Sequence, residues 1–229
     1  MIGKAIAHES GATFFSMSAS SFGSKYHGEG EKLVKYLFAE ASKSAPSVVF
    51  IDEVDSMLSQ RKSNEDEASR KVKTEFLAQF DGVRNVSDGR VLVIGATNRP
   101  QDLDDAARRR FAKRLYIPLP DKHGREALLH NILRNKSHSL VDSEFEKLAS
   151  DTEGFSGADL KILCEDVFNV RLESLLEIEE DIMHIDANEI PPISYEHFRQ
   201  SLSRMNASVS SDDLQMYIDW NDAYCRNDI

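Results

Sequence analysis

Two apolar runs without alternation, each closed by polar residues, constrain this chain more than any other feature. Ser47-Val48-Val49-Phe50-Ile51 ends in Asp52-Glu53, and the run from Arg90 through Val91-Leu92-Val93-Ile94-Gly95-Ala96 ends in Thr97-Asn98. A half-exposed strand alternates apolar and polar side chains. A strand covered on both faces does not, and that is the condition inside a parallel sheet. Ala12–Ser18 is a shorter apolar, aromatic stretch suited to another strand. Leu33, Val34, Leu37, Phe38 and Ala41 recur at helical spacing until Pro46 stops them. Ala68–Phe80 reads as a further helix, and Lys113–Ile117 is expected to add an edge-like strand. The alternation predicts an α/β fold with a doubly wound parallel sheet.

From Asp121 onward the helical period dominates. Leu128, Leu129, Ile132 and Leu133 mark one helix, and Phe145, Leu148 and Ala149 a short one. Ser156-Gly157-Ala158-Asp159 is spaced as a capping box ahead of Leu160, Leu163, Val167 and Val170. Phe198, Leu202 and Met205 follow Ser194, and Leu214, Tyr217 and Ile218 follow Ser211, giving a small helical bundle. Charge divides the chain at the same place. Met1–Pro120 holds 18 basic and 16 acidic residues, a net of +2; Asp121–Ile229 holds 10 and 23, a net of −13, which together give −11. The prolines of Pro118-Leu119-Pro120 mark the junction. The expected organisation is therefore an α/β domain over 1–120 and an all-α domain over 121–229.

Composition removes several classes. No apolar run approaches the ~20 residues of a membrane span, so membrane insertion is not expected. Cys164 and Cys225 give neither a disulfide framework nor a zinc site, and a reduced, intracellular compartment is the plain reading. The 7 histidines are scattered without ligand spacing. The net negative charge and the absence of a recognition motif argue against direct nucleic-acid binding.

In an open parallel sheet, ligands bind beyond the carboxyl ends of the strands. Asp52 and Glu53 leave a buried strand at that edge. Two readings stand: caps on the following helix, or a pair that holds a metal-bound nucleotide and activates water. Asn98, ending the next run, is either a loop-opening amide or a group that orients water or a phosphate oxygen. Arg108-Arg109-Arg110 is either a solvated basic run or a source of arginines for a neighbour's phosphate. Lys25-Tyr26-His27-Gly28 is a glycine-bearing loop that lacks the Gly-Lys-Ser/Thr of a phosphate loop. Its tyrosine either packs at a helix start or grips an extended peptide. Gly3-Lys4-Ala5 only echoes a phosphate loop.

Together these segments resemble the AAA ATPases, and within them the meiotic clade of katanin, spastin, fidgetin and fidgetin-like proteins. SKYHGEGEKLV, VVFIDEVDSML, EASRKVKTEFLAQFDG, VLVIGATNRPQDLDDAARRRFAKRLYIPLP, GFSGADL and SVSSDDLQMYIDWN carry the resemblance across nearly the whole chain. It implies an α/β nucleotide-binding domain followed by a helical lid, with ATP and Mg²⁺ as cofactors. It implies that Asp52 supports Mg²⁺, that Glu53 polarises the attacking water, and that Asn98 senses the nucleotide. It implies arginine fingers at Arg109 and Arg110, and a lid approach to the nucleotide at Gly157 and Ala158. Lys25 and Tyr26, with His27 beside them, correspond to the first pore loop, and Arg61–Arg70 to the second. Val209–Asn221 matches the clade's C-terminal helix.

One departure matters. The family's Gly-Lys-Thr loop and central first strand, which precede the segment that Met1–Lys4 resembles, do not occur in this sequence. The expectation is a truncated module that holds ATP poorly and hydrolyses it negligibly by itself. For the parent protein the resemblance implies a homo-hexameric, ATP-driven polypeptide remodeller, with microtubule severing through acidic tubulin tails as one activity it allows. It also allows the same motor to act on other protein filaments, of DNA-repair or ESCRT type. A third reading is a non-catalytic subunit that offers Arg109 and Arg110 to a neighbour. The cytoplasm, the cytoskeleton or the nucleus is the expected location.

Overall fold

The run at 47–52 becomes the central strand of a three-stranded parallel sheet. In the computed structural model, which describes residues 2–22, 29–60, 67–85, 90–176 and 191–225, the strands are β1 (Thr13–Ser18), β2 (Ser47–Asp52) and β3 (Val91–Gly95), in the order β1-β2-β3. Thr13 pairs with Ser47 and Ser18 with Asp52; Ser47 pairs with Val91 and Ile51 with Gly95. This register brings the carboxyl ends of all three strands to one edge.

The chain divides into two compact units, Met1–Arg114 with Tyr224–Ile229, and Leu115–Ala223. In the first, α2 (Glu29–Lys43) crosses from β1 to β2, and α3 (Asp55–Leu58) and α4 (Glu67–Asn85) lead from β2 to β3. Val49 and Ile51 point into a core with Phe38 and Ala41 of α2 and Phe76 and Phe80 of α4. The alternate residues Phe14 and Phe50 face α1 (Ile2–Glu9). Both faces of β2 are thus covered, which is why its sequence does not alternate. Gly3, the echo of a phosphate loop, lies inside α1. A Cβ there would stand 2.9 Å from the Phe50 ring, so its lack of side chain serves packing. After β3, a 3-10 turn at Pro100–Asp102 leads to α5 (Asp105–Arg110). The strand expected over Lys113–Ile117 does not form. That stretch has the alternation of an edge strand but no ladder partner among the described residues, and Leu115 and Ile117 stay exposed.

The second unit contains α6 (Lys122–Leu133), α7 (Asp142–Asp151), α8 (Gly157–Leu176) and α9 (Tyr195–Leu202), and most of α10 (Ser211–Tyr224). Leu129, Leu133, Phe145, Leu148, Leu160, Leu163, Cys164, Val167 and Phe198 form its core. Asp121 caps α6 by accepting from Gly124 N–H at 2.7 Å. Arg125, 7% exposed, donates to the Ala149 and Pro120 carbonyls and joins α6 to the end of α7. The helical spacing of Leu214, Tyr217 and Ile218 is real, yet α10 buries none of its residues. Burial pushes the Cys164 thiol up to about 12, so it is no nucleophile at neutral pH. No helix among the described residues is long and apolar enough to cross a membrane.

Candidate active site

β2 delivers Asp52 to the sheet edge, and the chain turns sharply at Glu53. Glu53 has φ 52°, in the left-handed region, where a residue with a side chain is strained by about 1–3 kcal/mol. Hydrogen bonds around the turn hold it there. Glu53 N–H donates to Asp52 Oδ1 at 2.9 Å. Val54 N–H donates to the Ala96 carbonyl at 3.0 Å, and Ala96 N–H to the Ile51 carbonyl at 2.9 Å, so the turn is zipped to the end of β3. Strained backbone held by its surroundings is a recurrent property of functional sites.

Neither acid caps the next helix. Val54 occupies the cap position of α3, without a side-chain bond. The Asp52 and Glu53 side chains are exposed at the carboxyl edge instead. Ser18, which pairs with Asp52 in the β1–β2 register, donates its hydroxyl to Glu53 Oε2 at 3.3 Å. Thr97 Oγ1 donates to Asp55 Oδ1 at 2.5 Å and accepts from Arg99 N–H at 2.8 Å. That pair of bonds ties the loop carrying Asn98 to the start of α3, and Asn98 is exposed beside it. Ser18, Asp52, Glu53 and Asn98 therefore share one edge. Sequence reasoning missed Ser18, Asp55 and Thr97, because their roles depend on strand register.

The donor set suits a hard, oxygen-seeking cation bound mainly through a ligand's own oxygens. Asp52 is an exposed carboxylate with one oxygen on a backbone N–H. No group of three or more His, Cys, Asp or Glu able to hold a metal occurs among the described residues. Mg²⁺ characteristically binds through one or two carboxylates, waters and substrate phosphates.

The three arginines at the end of α5 have different surroundings. Arg108 pairs with Asp105. Arg110 is held by Asp81 at the end of α4, with Nη2 to Oδ2 at 2.6 Å and Nε within 3.0 Å of both carboxylate oxygens. Arg109 is exposed and makes no ion pair among the described residues. In the second unit, Gly157 and Ala158 form the exposed first turn of α8. The expected capping box is present: Ser156 N–H donates to Asp159 Oδ2 at 2.8 Å, and Asp159 N–H to Ser156 Oγ at 3.1 Å. Burial pushes the Asp159 carboxyl up, but the donors on Ser156 and Ser208 outweigh it and hold its pKa below the ordinary value. Lys25, Tyr26 and His27 lie outside the described residues, as do residues 61–66 of the second loop singled out above.

The profile of the ATPase family associated with various cellular activities (AAA) matches residues 1–119. An AAA+ lid domain matches 142–176, and a Vps4 C-terminal oligomerisation domain matches 177–224. Fidgetin-like protein 1 of Rattus norvegicus is 48% identical over 224 residues, covering 98% of this chain and 33% of that protein. Spastin of Dictyostelium discoideum is 49% identical over 224 residues, covering 98% and 34%. The chain thus spans about a third of the length of these relatives. The crystal structure of the FIGL-1 AAA domain superposes with a TM-score of 0.90 at 43% identity, covering 99% of this chain and 73% of that one. The same domain in complex with ADP gives 0.89 at 43% identity, covering 98% and 74%. A structure of katanin self-assembly gives 0.78 at 35% identity, covering 96% and 72%.

Proposed function

The chain belongs to the AAA family of ATPases, and from that premise we propose that it is the motor portion of a hexameric, Mg-ATP-driven polypeptide remodeller of fidgetin-like or spastin type. Glu53 carries the proposal: an exposed carboxylate in a strained turn, held by Ser18 at the carboxyl edge of a parallel sheet. Bound Mg-ATP would supply the bond to be cleaved and the cation that neutralises its oxygens. Asp52 supports that cation. Glu53 accepts a hydrogen bond from the attacking water and polarises it, and Asn98 orients it. Arg109 and Arg110 serve the nucleotide of a neighbouring subunit. Gly157 and Ala158, at a helix start that offers unpaired N–H groups, are assigned to the same nucleotide.

Lys25, Tyr26 and His27 would grip an extended polypeptide in the ring's pore. The first half of the chain, at net +2, tolerates an acidic segment such as a tubulin tail. Microtubule severing is therefore the favoured activity, in a cytoplasmic, cytoskeletal or nuclear setting. Other protein filaments are the alternative cargo.

This sequence contains no Gly-x-x-x-x-Gly-Lys-Ser/Thr loop, so the test supplies one. The 229 residues replace the matched stretch of rat fidgetin-like protein 1, and ATP turnover and microtubule severing are measured. The chimera is expected to do both. Glu53→Gln is expected to lower turnover by about 100-fold or more and to abolish severing. Tyr26→Ala is expected to abolish severing while turnover persists. Equal turnover with and without Glu53→Gln would overturn the assignment.

A further inference from the structure

Helix α4 holds the short helix α5 at both ends. At the start, Lys73 of α4 is buried, with its side chain 5% exposed, and its ammonium meets Asp104 Oδ2 at 2.5 Å. The same ammonium donates to the Ser59 carbonyl. Asp104 is the N-cap of α5: its Oδ1 accepts from Ala107 N–H at 2.7 Å, and its own N–H donates to the Leu58 carbonyl at 3.0 Å. Lys73 therefore ties together α4, the end of α3, which follows Asp52 and Glu53, and the first turn of α5. At the other end, about 12 Å further along α4, Asp81 takes Arg110.

This second clamp engages most of the Arg110 guanidinium. Nε and Nη2 face Asp81, and Nη1 donates to the Ala106 carbonyl at 3.1 Å. A phosphate is best bound by two parallel N–H donors on one edge of the fork, and each edge of this one already has a donor committed. Arg109 differs. It is exposed, lies between two paired arginines, and has no ion-pair partner among the described residues. A helix of 6 residues carrying three consecutive arginines would not hold a direction by itself, since isolated helices of that length are unstable.

We propose that Arg109 alone delivers its guanidinium to a phosphate on a neighbouring subunit, and that Arg110 is a positioning residue which, with Asp81 and Lys73, aims α5. This rests on the reading that the α5 arginines act on a neighbour, and it divides their work. For that purpose Arg110 acts only as the forked, positive partner of Asp81, so the pair is expected to work in either orientation and a lysine to reproduce it in part.

The test uses the full chain mixed with subunits of rat fidgetin-like protein 1 whose residues aligned with Arg109 and Arg110 are both alanine. The readout is ATP turnover by the relative's own sites. The wild-type chain is expected to stimulate it, and Arg109→Lys to fall to the unmixed baseline. Arg110→Ala and Asp81→Ala are each expected to lose roughly tenfold, with the Asp81→Arg/Arg110→Asp exchange returning to within about threefold of wild type. Arg110→Lys, which keeps charge and bulk, is expected to fall between. Amide exchange over residues 105–110 of the chain alone should accelerate in Arg110→Ala, return towards wild type in the exchange, and stay unchanged in Arg109→Lys. Stimulation by wild type with an exchange no better than Arg110→Ala would overturn the division of roles and leave the neighbour reading intact. No stimulation by the wild-type chain would overturn the neighbour reading and the inference with it.

Discussion

Glu53 is a glutamate in a backbone conformation that glycine adopts without strain. A sequence under pressure only to fold would not place a branched-off carboxylate there. The Ser18 hydroxyl on its Oε2 holds the group at the edge. The acids themselves are legible in sequence, because four apolar residues lead straight into them. Ser18 is not, because only the register of β1 against β2 brings it opposite Asp52. Gly30 shows the same limit. It sits in the first turn of α2, where a Cβ would lie 2.3 Å from the Phe22 carbonyl oxygen and 2.7 Å from Val72 Cγ2. Backbone cannot give way as a flexible side chain can, so Gly30→Ala is expected to destabilise the first unit by about 1–3 kcal/mol. A urea midpoint unchanged by the substitution would show that α2 shifts freely on its neighbours.

At the scale of elements, the helices and their caps follow from spacing. The Ser156/Asp159 box and the start of α8 are where the sequence places them. What escapes sequence is pairing between distant elements. Asp81 and Arg110 are 29 residues apart, and nothing local marks them as partners. Lys113–Ile117 alternates as an edge strand should, but a strand exists only with a neighbour to bond to. The start of α9 carries a pH-dependent cap. His197 Nδ1 accepts from Ser194 N–H at 3.1 Å, which requires the neutral ring. Burial, and then the charge of Arg171, lower its pKa below 6.5, with Glu196 opposing them. The unfolded chain therefore binds the proton more readily than the folded one. The contribution of the cap is complete above 6.5 and is lost as pH falls from there through the folded-state value. His197→Gln keeps a side-chain acceptor without a titration in that range. The wild-type second unit should lose more stability than His197→Gln between about pH 7 and about pH 5. Parallel pH profiles would remove the role assigned to the cap.

The whole chain combines two cores of different character. The first unit carries the acids and the arginines on a chain segment of nearly balanced charge, and the helical unit carries the negative excess. α10 keeps its apolar period without burying a residue, and it lies in the region matched by an oligomerisation domain. Such a pattern is intelligible in an assembly and opaque in one chain, and periodicity alone only places α10 in the helical bundle. The same holds for the site. Asp52, Glu53 and Asn98 converge on one edge, whereas Arg109 is exposed on a separate helix. On the proposed function, the acids work for their own subunit and Arg109 for the next.

Complementation tests it most directly. In the fidgetin-like chimera, Glu53→Gln subunits are inactive at their own site but still carry Arg109, and Arg109→Ala subunits keep the acids but offer no arginine. Each variant alone should be inactive. Mixed in equal amounts, random rings should place an intact arginine beside an intact acid pair at about a quarter of the sites, with turnover recovering in proportion. Recovery to that level is the predicted result; mixtures as inactive as the two variants alone would contradict a site shared between neighbouring subunits.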